Sequence, residues 1–237
     1  ASLALFAWLL ANASGILDGS PVVEDREWVP TLGLSLDLRV DGFGLLMGGI
    51  VSGIGVLIFL YGWYYLADSA SAGRTAGLLT LFAGAMSTLV LADDVFLLFV
   101  GWELTSIVSY LLVGGDGRTA EARDAARRAL LTTGAGGLAM LGGLAVLGHE
   151  AGTYRLSAIL EDAPQGTTVA VALFLVLLGV ATKSAQFPFH RWLPGAMVAP
   201  TPVSAYLHSA TMVKAGVYVV ARFGPAFAEV ESFRWTV

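Results

Sequence analysis

The sequence contains no cysteine and very little charge. With no cysteine among its 237 residues, it can form no disulfide, no thiolate-ligated metal site and no cysteine nucleophile. Charged residues make up 13% of the chain and hydrophobic residues 56%, whereas soluble domains carry roughly 25% charged residues. This composition excludes a soluble globular protein and a disordered chain, and it favours an integral membrane protein. The net charge of −5 argues against a nucleic-acid partner.

Long uncharged runs predict membrane-spanning helices, each of which needs about 20 mostly apolar residues. Four uncharged segments qualify directly, between Asp41 and Asp68 and at 75–92, 129–148 and 163–182. A fifth segment at 95–115 is broken only by Glu103, and a sixth at 200–221 carries His208 and Lys214. Residues 1–17 are uncharged but short and lack the basic start of a signal peptide, so they predict the end of another span. We therefore expect an all-α, polytopic helical bundle in the membrane.

The distribution of arginine predicts the orientation. The loop after the span at 95–115 carries four arginines: Arg118, Arg123, Arg127 and Arg128. The loops before this span are acidic, around Asp25 and at the Asp93 and Asp94 pair. Cytoplasmic loops carry an excess of Lys and Arg, so we expect the four-arginine loop in the cytoplasm.

A few ionisable residues lie inside the apolar runs. Glu103 is the only acidic residue within a span, and the two lysines of the chain, Lys183 and Lys214, lie within or at the edge of spans. A desolvated lysine can release its proton, whereas arginine stays charged. Charges at the bilayer centre cost roughly 2.5–3.5 kcal/mol, so these residues predict an ion path. A structural ion pair at Glu103, a snorkelling Lys183, and simple hydrogen-bonding roles for His208 and Lys214 remain alternatives.

The segment after Lys183 is rich in proline. Four prolines fall within fifteen residues: Pro188, Pro194, Pro200 and Pro202. Proline removes a backbone donor and clashes with the preceding turn, so we predict that the helix is interrupted and that Lys183 lies at the break. Broken helices beside intramembrane charges are typical of ion transporters. The alternative is a re-entrant or cytoplasmic loop that joins two spans.

Three long motifs carry a specific resemblance. VGWELTSIVSYLLVG, KSAQFPFHRWLPGAM and APTPVSAYLHSATMVKAGVYVVARF occur in this order. They resemble the antiporter-like membrane subunits shared by respiratory complex I and the Mrp-type multisubunit sodium/proton antiporters. The similarity extends from about Trp28 to Arg222. Within the family, RVDGFGLLMGGIVSGIGVLIFLYGWYYL and TTGAGGLAMLGGL are most similar to the large A-type component of the Mrp antiporter.

The resemblance implies an inverted-repeat transporter fold in which each five-helix repeat contains a discontinuous helix. It divides the chain into N-terminal spans with an external acidic loop at 1–72, one five-helix repeat at 73–224, and the start of a connection at 225–237. On this basis we expect the N-terminal part of a longer subunit that also lacks its beginning. Gly195 stands where the family usually has Asp, and Gly114 and Gly115 replace bulky aromatic residues.

The resemblance also implies a proton relay. It assigns Glu103 to a paired carboxylate, Lys183 to the lysine of the broken helix, and His208 with Lys214 to the connection toward the next half-channel. The broken-helix region comprises Pro188, His190, Pro194, Pro200 and Pro202.

The expected function is proton translocation by a subunit of a multisubunit Na⁺/H⁺, or other monovalent cation/proton, antiporter. We expect a multi-pass protein of the bacterial plasma membrane that uses no cofactor or metal and is not itself an enzyme. Its expected partners are other membrane subunits, protons, Na⁺ or another monovalent cation, and the lipid bilayer. The alternative within the family is a proton-pumping subunit of a complex I type NADH:quinone oxidoreductase.

Two other classes of protein are alternatives to a transporter. A metal-dependent or hydrolytic membrane enzyme would use His149, His190, His208 and Glu103, but the sequence has neither an HExxH motif nor a serine nucleophile elbow. A purely structural subunit is the third class, and it predicts that transport survives neutralisation of Glu103 and Lys183.

Overall fold

A computed structural model describes residues 1–29, 34–115, 119–228 and 230. Arg118 and most of the predicted connection at 225–237 lie outside these residues. Within the described part, the chain forms helices joined by short connections and four brief strands. The helices are α1 (Ser2–Leu17), α2 (Gly42–Tyr65), α3 (Ala72–Leu91), α4 (Val95–Gly114), α5 (Ala120–Ala151), α6 (Leu156–Glu161), α7 (Thr167–Lys183), α8 (Trp192–Ala196), α9 (Thr201–Ser204) and α10 (Met212–Phe227).

The predicted apolar runs all correspond to helices. Among the described residues, α2, α3, α4 and α5 are long and apolar enough to cross a membrane. Helices α1 and α7 are also apolar but have only 16 and 17 residues. The sixth run begins before α9 and ends within α10. The expectation of a polytopic helical membrane protein is therefore confirmed.

The chain is interrupted where the prolines predict an interruption. Helix α7 ends at Lys183, and a 3₁₀ turn (Phe189–Arg191) and the five-residue α8 follow. Pro202 occupies the first turn of α9, where its missing N–H is tolerated because this group has no partner within the helix. A π-helical turn (Ala205–Thr211) separates α9 from α10 and was not predicted.

Short strands occupy the acidic loop between α1 and α2, where the sequence analysis predicted none. They are β1 (Val22–Glu24), β2 (Glu27–Val29), β3 (Leu34–Ser35) and β4 (Leu38–Val40). Strand β1 pairs antiparallel with β4, and β2 pairs antiparallel with β3. The backbone N–H of Asp93 donates to the carbonyl of Asp37 at 2.8 Å, which fastens this segment to the turn between α3 and α4.

Helix α5 packs between α4 and α7, and glycines allow the close approach. A Cβ atom at Gly136 would overlap the side chain of Thr182, and one at Gly143 would overlap the backbone carbonyl of Ala172. A Cβ at Gly179 would lie 2.6 Å from the Cβ of Met140. Small residues are the usual means by which membrane helices approach each other. This packing brings α4 and the end of α7 to the same part of the bundle.

Candidate ion pathway

The amine of Lys183 is enclosed by residues of α4. The Lys183 side chain is 0% exposed, although it stands at the last residue of a helix. Its Nζ donates to the carbonyl of Trp102 at 2.5 Å and to Oγ of Ser106 at 2.9 Å. The same nitrogen lies 4.7 Å from the centre of the Trp102 ring. Trp102 and Ser106 share a face of α4 because they are four residues apart.

The carbonyl oxygen of Trp102 accepts several hydrogen bonds. The hydroxyl of Thr105 donates to it at 2.7 Å and that of Ser106 at 3.4 Å, in addition to the Lys183 amine. Thr105 and Ser106 are both buried. Because a carbonyl oxygen has two lone pairs and a partial negative charge, it can hold a cation without a carboxylate.

The carboxyl group of Glu103 faces α5. A Cβ atom at Gly137 would overlap Oε1 of Glu103, and one at Gly134 would lie 3.9 Å from Oε2. Oε1 is buried and has no hydrogen-bond partner in the described part of the chain. The Glu103 side chain therefore fits into a space that a glycine of α5 leaves open.

Glu103 and Lys183 are close but not bonded. The described residues form no ion pair between them within 4.0 Å, although their charges interact. In this conformation two of the three N–H donors of the amine are bonded to Trp102 and Ser106 instead.

Trp192 links the end of α7 to His208. Its indole Nε1 donates to the carbonyl of Thr182 at 2.8 Å, one residue before Lys183. Its ring centre lies 6.0 Å from that of His208. His208 is 6% exposed and lies in the π turn, and neither ring nitrogen has a hydrogen-bond partner among the described residues.

Lys214 lies apart from this cluster. Its side chain is exposed on α10, and no hydrogen bond or ion pair joins it to the part of the chain that the structure describes. The neighbouring residue is tied to the broken helix, because Oγ of Ser184 donates to the carbonyl of Val213 at 2.7 Å. The structure thus gathers Glu103, Lys183 and His208 around two tryptophans and leaves Lys214 at the surface of the chain.

The remaining predicted residues are mostly exposed on the surface of this chain. Pro188, His190, Pro194 and Pro200 are exposed, while Pro202 is buried. His149 is exposed in the last turn of α5. Within the described ranges, no three His, Asp or Glu side chains form a group that could hold a metal ion.

Buried acidic residues lie at one end of the bundle. Arg155 pairs with Asp37 at 3.2 Å and with Asp25 at 3.1 Å. The carboxylate of Asp93 accepts from the backbone N–H and the hydroxyl of Ser157. Asp94 caps α4, and burial raises its pKa despite hydrogen bonds from two backbone N–H groups of that helix. These contacts join the connection before α2, the α3–α4 turn and the connection before α6.

Several residues at the site were not predicted. Trp102 and Ser106 accept hydrogen bonds from the lysine amine, and Gly137 leaves space for the Glu103 carboxyl group. Trp192 lies between Thr182 and His208. The spacing of Trp102 and Ser106 indicates a shared helix face, but the sequence does not show which helix that face meets. Their role depends on where α7 ends in space.

A polytopic helical bundle that buries a lysine at a broken helix, beside a carboxyl group, is of the class to which ion transporters belong. The transmembrane family described as NADH:quinone oxidoreductase/Mrp antiporter matches residues 92–237. A second family, described as NADH-Ubiquinone oxidoreductase (complex I), chain 5 N-terminus, matches residues 28–74. The chain belongs to the NADH:quinone oxidoreductase/Mrp antiporter transmembrane family, and the predicted membership is confirmed.

Curated relatives agree with this assignment. A probable K⁺/H⁺ antiporter A/B subunit of Rhizobium meliloti is 53% identical over 89% of this chain and 21% of its own length. The A1 subunit of a Na⁺/H⁺ antiporter of Staphylococcus aureus is 41% identical over 99% of this chain and 30% of its own length. The chain thus spans between about a fifth and a third of these relatives.

Two solved structures share the fold. The Mrp complex from Dietzia sp. DQ12-45-1b contains a chain that is 41% identical, with a TM-score of 0.87 over 99% of this chain and 26% of its own. An archaeal respiratory membrane complex, the membrane-bound sulfane sulfur reductase, contains a chain that is 25% identical. Its TM-score is 0.82 over 99% of this chain and 48% of its own.

Proposed function

We propose that the protein is a proton-translocating subunit of a multisubunit monovalent cation/proton antiporter in the bacterial cell membrane. The observation that carries this proposal is the fully buried Lys183 amine at the end of a broken helix, next to a carboxyl group with an unpaired oxygen. The names of the relatives, which are K⁺/H⁺ and Na⁺/H⁺ antiporter subunits, support the same function. The subunit itself is a transporter component rather than an enzyme.

In this proposal the four predicted residues act in sequence. Lys183 carries the proton, Glu103 is the carboxylate that can pair with its charged form, and His208 receives the proton beyond Trp192. Lys214 provides the onward connection at the surface of the chain, toward other parts of the assembled complex. The five-helix unit at 73–224 carries the whole relay. The transported cation is Na⁺ or another monovalent cation, and other membrane subunits complete the exchange.

The second candidate is a proton-pumping subunit of a complex I type oxidoreductase. It is favoured by the family itself, which includes both kinds of complex, and by the similar chain in an archaeal respiratory complex. The two candidates differ in their driving force. A respiratory subunit would co-purify with flavin and iron–sulfur subunits, whereas an antiporter subunit would support cation-driven proton movement without them.

The experiment that tests the relay replaces Lys183 by arginine. In everted vesicles with the intact complex, we expect Lys183→Ala and Glu103→Ala to abolish cation/proton exchange. Lys183→Arg should fail to restore it, since arginine keeps the charge but cannot be deprotonated in a protein. Arg127→Lys, at an exposed position of α5, is the matched control and should exchange normally.

Normal exchange by Lys183→Arg, with the complex assembled to the usual level, would show that Lys183 is a structural cation. That result would contradict the proposed relay while leaving the family assignment intact.

A further inference from the structure

The Lys183 amine rests in a position where it makes no hydrogen bond to Glu103, although the two charges interact. We define the amine cradle as the carbonyl oxygen and ring of Trp102 together with the hydroxyl of Ser106. We propose that the amine cradle is a resting position that competes with Glu103 for the Lys183 amine, and that Ser106 is the positioning residue that sets the balance. This inference rests on the proposed function and deepens it, because it names a second state of the proton carrier.

The cradle makes three contacts with the amine, two hydrogen bonds and one ring contact. A lysine ammonium has three N–H donors. Two of them serve the Trp102 carbonyl at 2.5 Å and the Ser106 hydroxyl at 2.9 Å. The face of the Trp102 ring lies 4.7 Å from the nitrogen, within the range of a cation–π contact. The buried charge is therefore compensated without an ion pair.

The competing position lies next to the cradle. Trp102 and Glu103 are consecutive residues of α4, and the charges of Glu103 and Lys183 interact, so the carboxyl group is a second acceptor near the flexible lysine side chain. Oε1 of Glu103 is buried and has no partner within the described residues, while the amine occupies the cradle. An unpaired buried oxygen is costly, so the carboxyl group is an acceptor for the amine as soon as the cradle releases it.

Ser106 is the part of the cradle that mutation can remove cleanly. Its hydroxyl is the only side-chain oxygen that the described structure places on the Lys183 amine, since the other acceptor is backbone. Ser109 offers a matched control, because it is also buried on α4 and its hydroxyl has no hydrogen-bond partner among the described residues.

The test measures how often Glu103 is unpaired. Dicyclohexylcarbodiimide reacts with protonated carboxyl groups in apolar surroundings, because the acid proton passes to a carbodiimide nitrogen as the carboxylate oxygen adds to the central carbon. A salt bridge to Lys183 would keep Glu103 ionised and unreactive. Mass spectrometry follows the attachment to Glu103 in the full-length subunit within its complex. Ser106→Ala removes a hydrogen bond to a charged group and so shifts the ratio of the two positions about tenfold toward Glu103, which should slow labelling by up to about tenfold. Ser109→Ala should label at the wild-type rate, and Lys183→Ala should label at least as fast as wild type.

Equal labelling rates for Ser106→Ala and wild type would overturn the inference. Ser106→Thr keeps the oxygen and should restore the wild-type rate. A threonine variant as slow as the alanine variant would show that packing, rather than the hydroxyl, sets the rate, and it would also overturn the inference. Labelling requires no transport. The labelling results can therefore refute the amine cradle while Lys183→Arg remains inactive. The exchange assay can refute the proposed function while the labelling rates follow the pattern expected here.

Discussion

At the scale of a residue, the absence of one methyl group positions the Glu103 carboxyl group. Gly137 and Gly134 both face this side chain from α5, but at different distances. A Cβ at Gly137 would overlap Oε1, whereas a Cβ at Gly134 would stay 3.9 Å from Oε2. A methyl group would therefore displace the Glu103 carboxyl group at Gly137 but not at Gly134, so the two glycines make a matched pair.

We expect Gly137→Ala to impair exchange and Gly134→Ala to preserve it. Alanine is favoured over glycine in a helix by about 1 kcal/mol, so both variants gain this term. Only Gly137→Ala also forces the carboxyl group aside, which costs little stability because it is the end of a flexible side chain but displaces the group from the site. The measurements are cation/proton exchange in everted vesicles and the thermal stability of the purified complex. Equal activity of the two variants would refute this account of Gly137.

At the scale of an element, side chains as well as backbone hydrogen bonds hold the end of the broken helix. Helix α7 ends at Lys183, and the carbonyl groups of its last turn need other partners. Trp192 supplies one of them from α8 by donating to Thr182, and Ser184 joins the break to α10. These contacts therefore fix the position of the end of α7, and with it the position of the Lys183 amine.

We expect Trp192→Phe to destabilise the complex by about 0.5–1.5 kcal/mol, because it removes the indole hydrogen bond to the carbonyl of Thr182, which keeps only the backbone N–H of Ala185 as a donor at 3.4 Å. Phenylalanine keeps one aromatic ring near His208 but is smaller than the buried indole, so the measured loss includes a cavity contribution. Thermal unfolding of the purified complex measures the effect. Trp63→Phe is the control, since Trp63 is 78% exposed and its replacement should leave the unfolding temperature unchanged. An unshifted temperature for Trp192→Phe would contradict the capping role.

At the scale of the whole molecule, the two ends of the bundle differ in chemistry. At one end, the Arg74 guanidinium donates to the carbonyl of Gly115, which brings the start of α3 to the end of α4. At the other end, Arg155 contacts Asp37 and Asp25, and Arg222 pairs with Asp41 at 2.5 Å. The excess of arginine around the start of α5 favours the first end as cytoplasmic.

The orientation can be tested because the chain has no cysteine of its own. Arg127→Cys introduces a single thiol at an exposed position near the start of α5. Gln165→Cys introduces one at an exposed position just before α7, near the opposite end of the bundle. A membrane-impermeant maleimide should label Gln165→Cys in intact cells and Arg127→Cys only in everted vesicles. The reverse labelling pattern would show that the chain has the opposite orientation to the predicted one.

The sequence alone determined the class of protein and the position of the break. Apolar runs predict spans because the bilayer requires about 20 apolar residues, and this requirement acts locally along the chain. Proline likewise acts on its own turn, so the interruption after Lys183 was predictable. The unusual positions of Glu103, Lys183 and His208 were visible because intramembrane ionisable residues are rare.

The tertiary structure decided what these residues contact. The Lys183 amine lies 81 positions along the chain from the Trp102 carbonyl that accepts its hydrogen bond. No local pattern reports such a contact, because it depends on how α5 spaces α4 from α7. The same packing leaves Glu103 unpaired and places Trp192 between Thr182 and His208. Residue type and spacing thus identified the ionisable groups, and helix packing chose their partners.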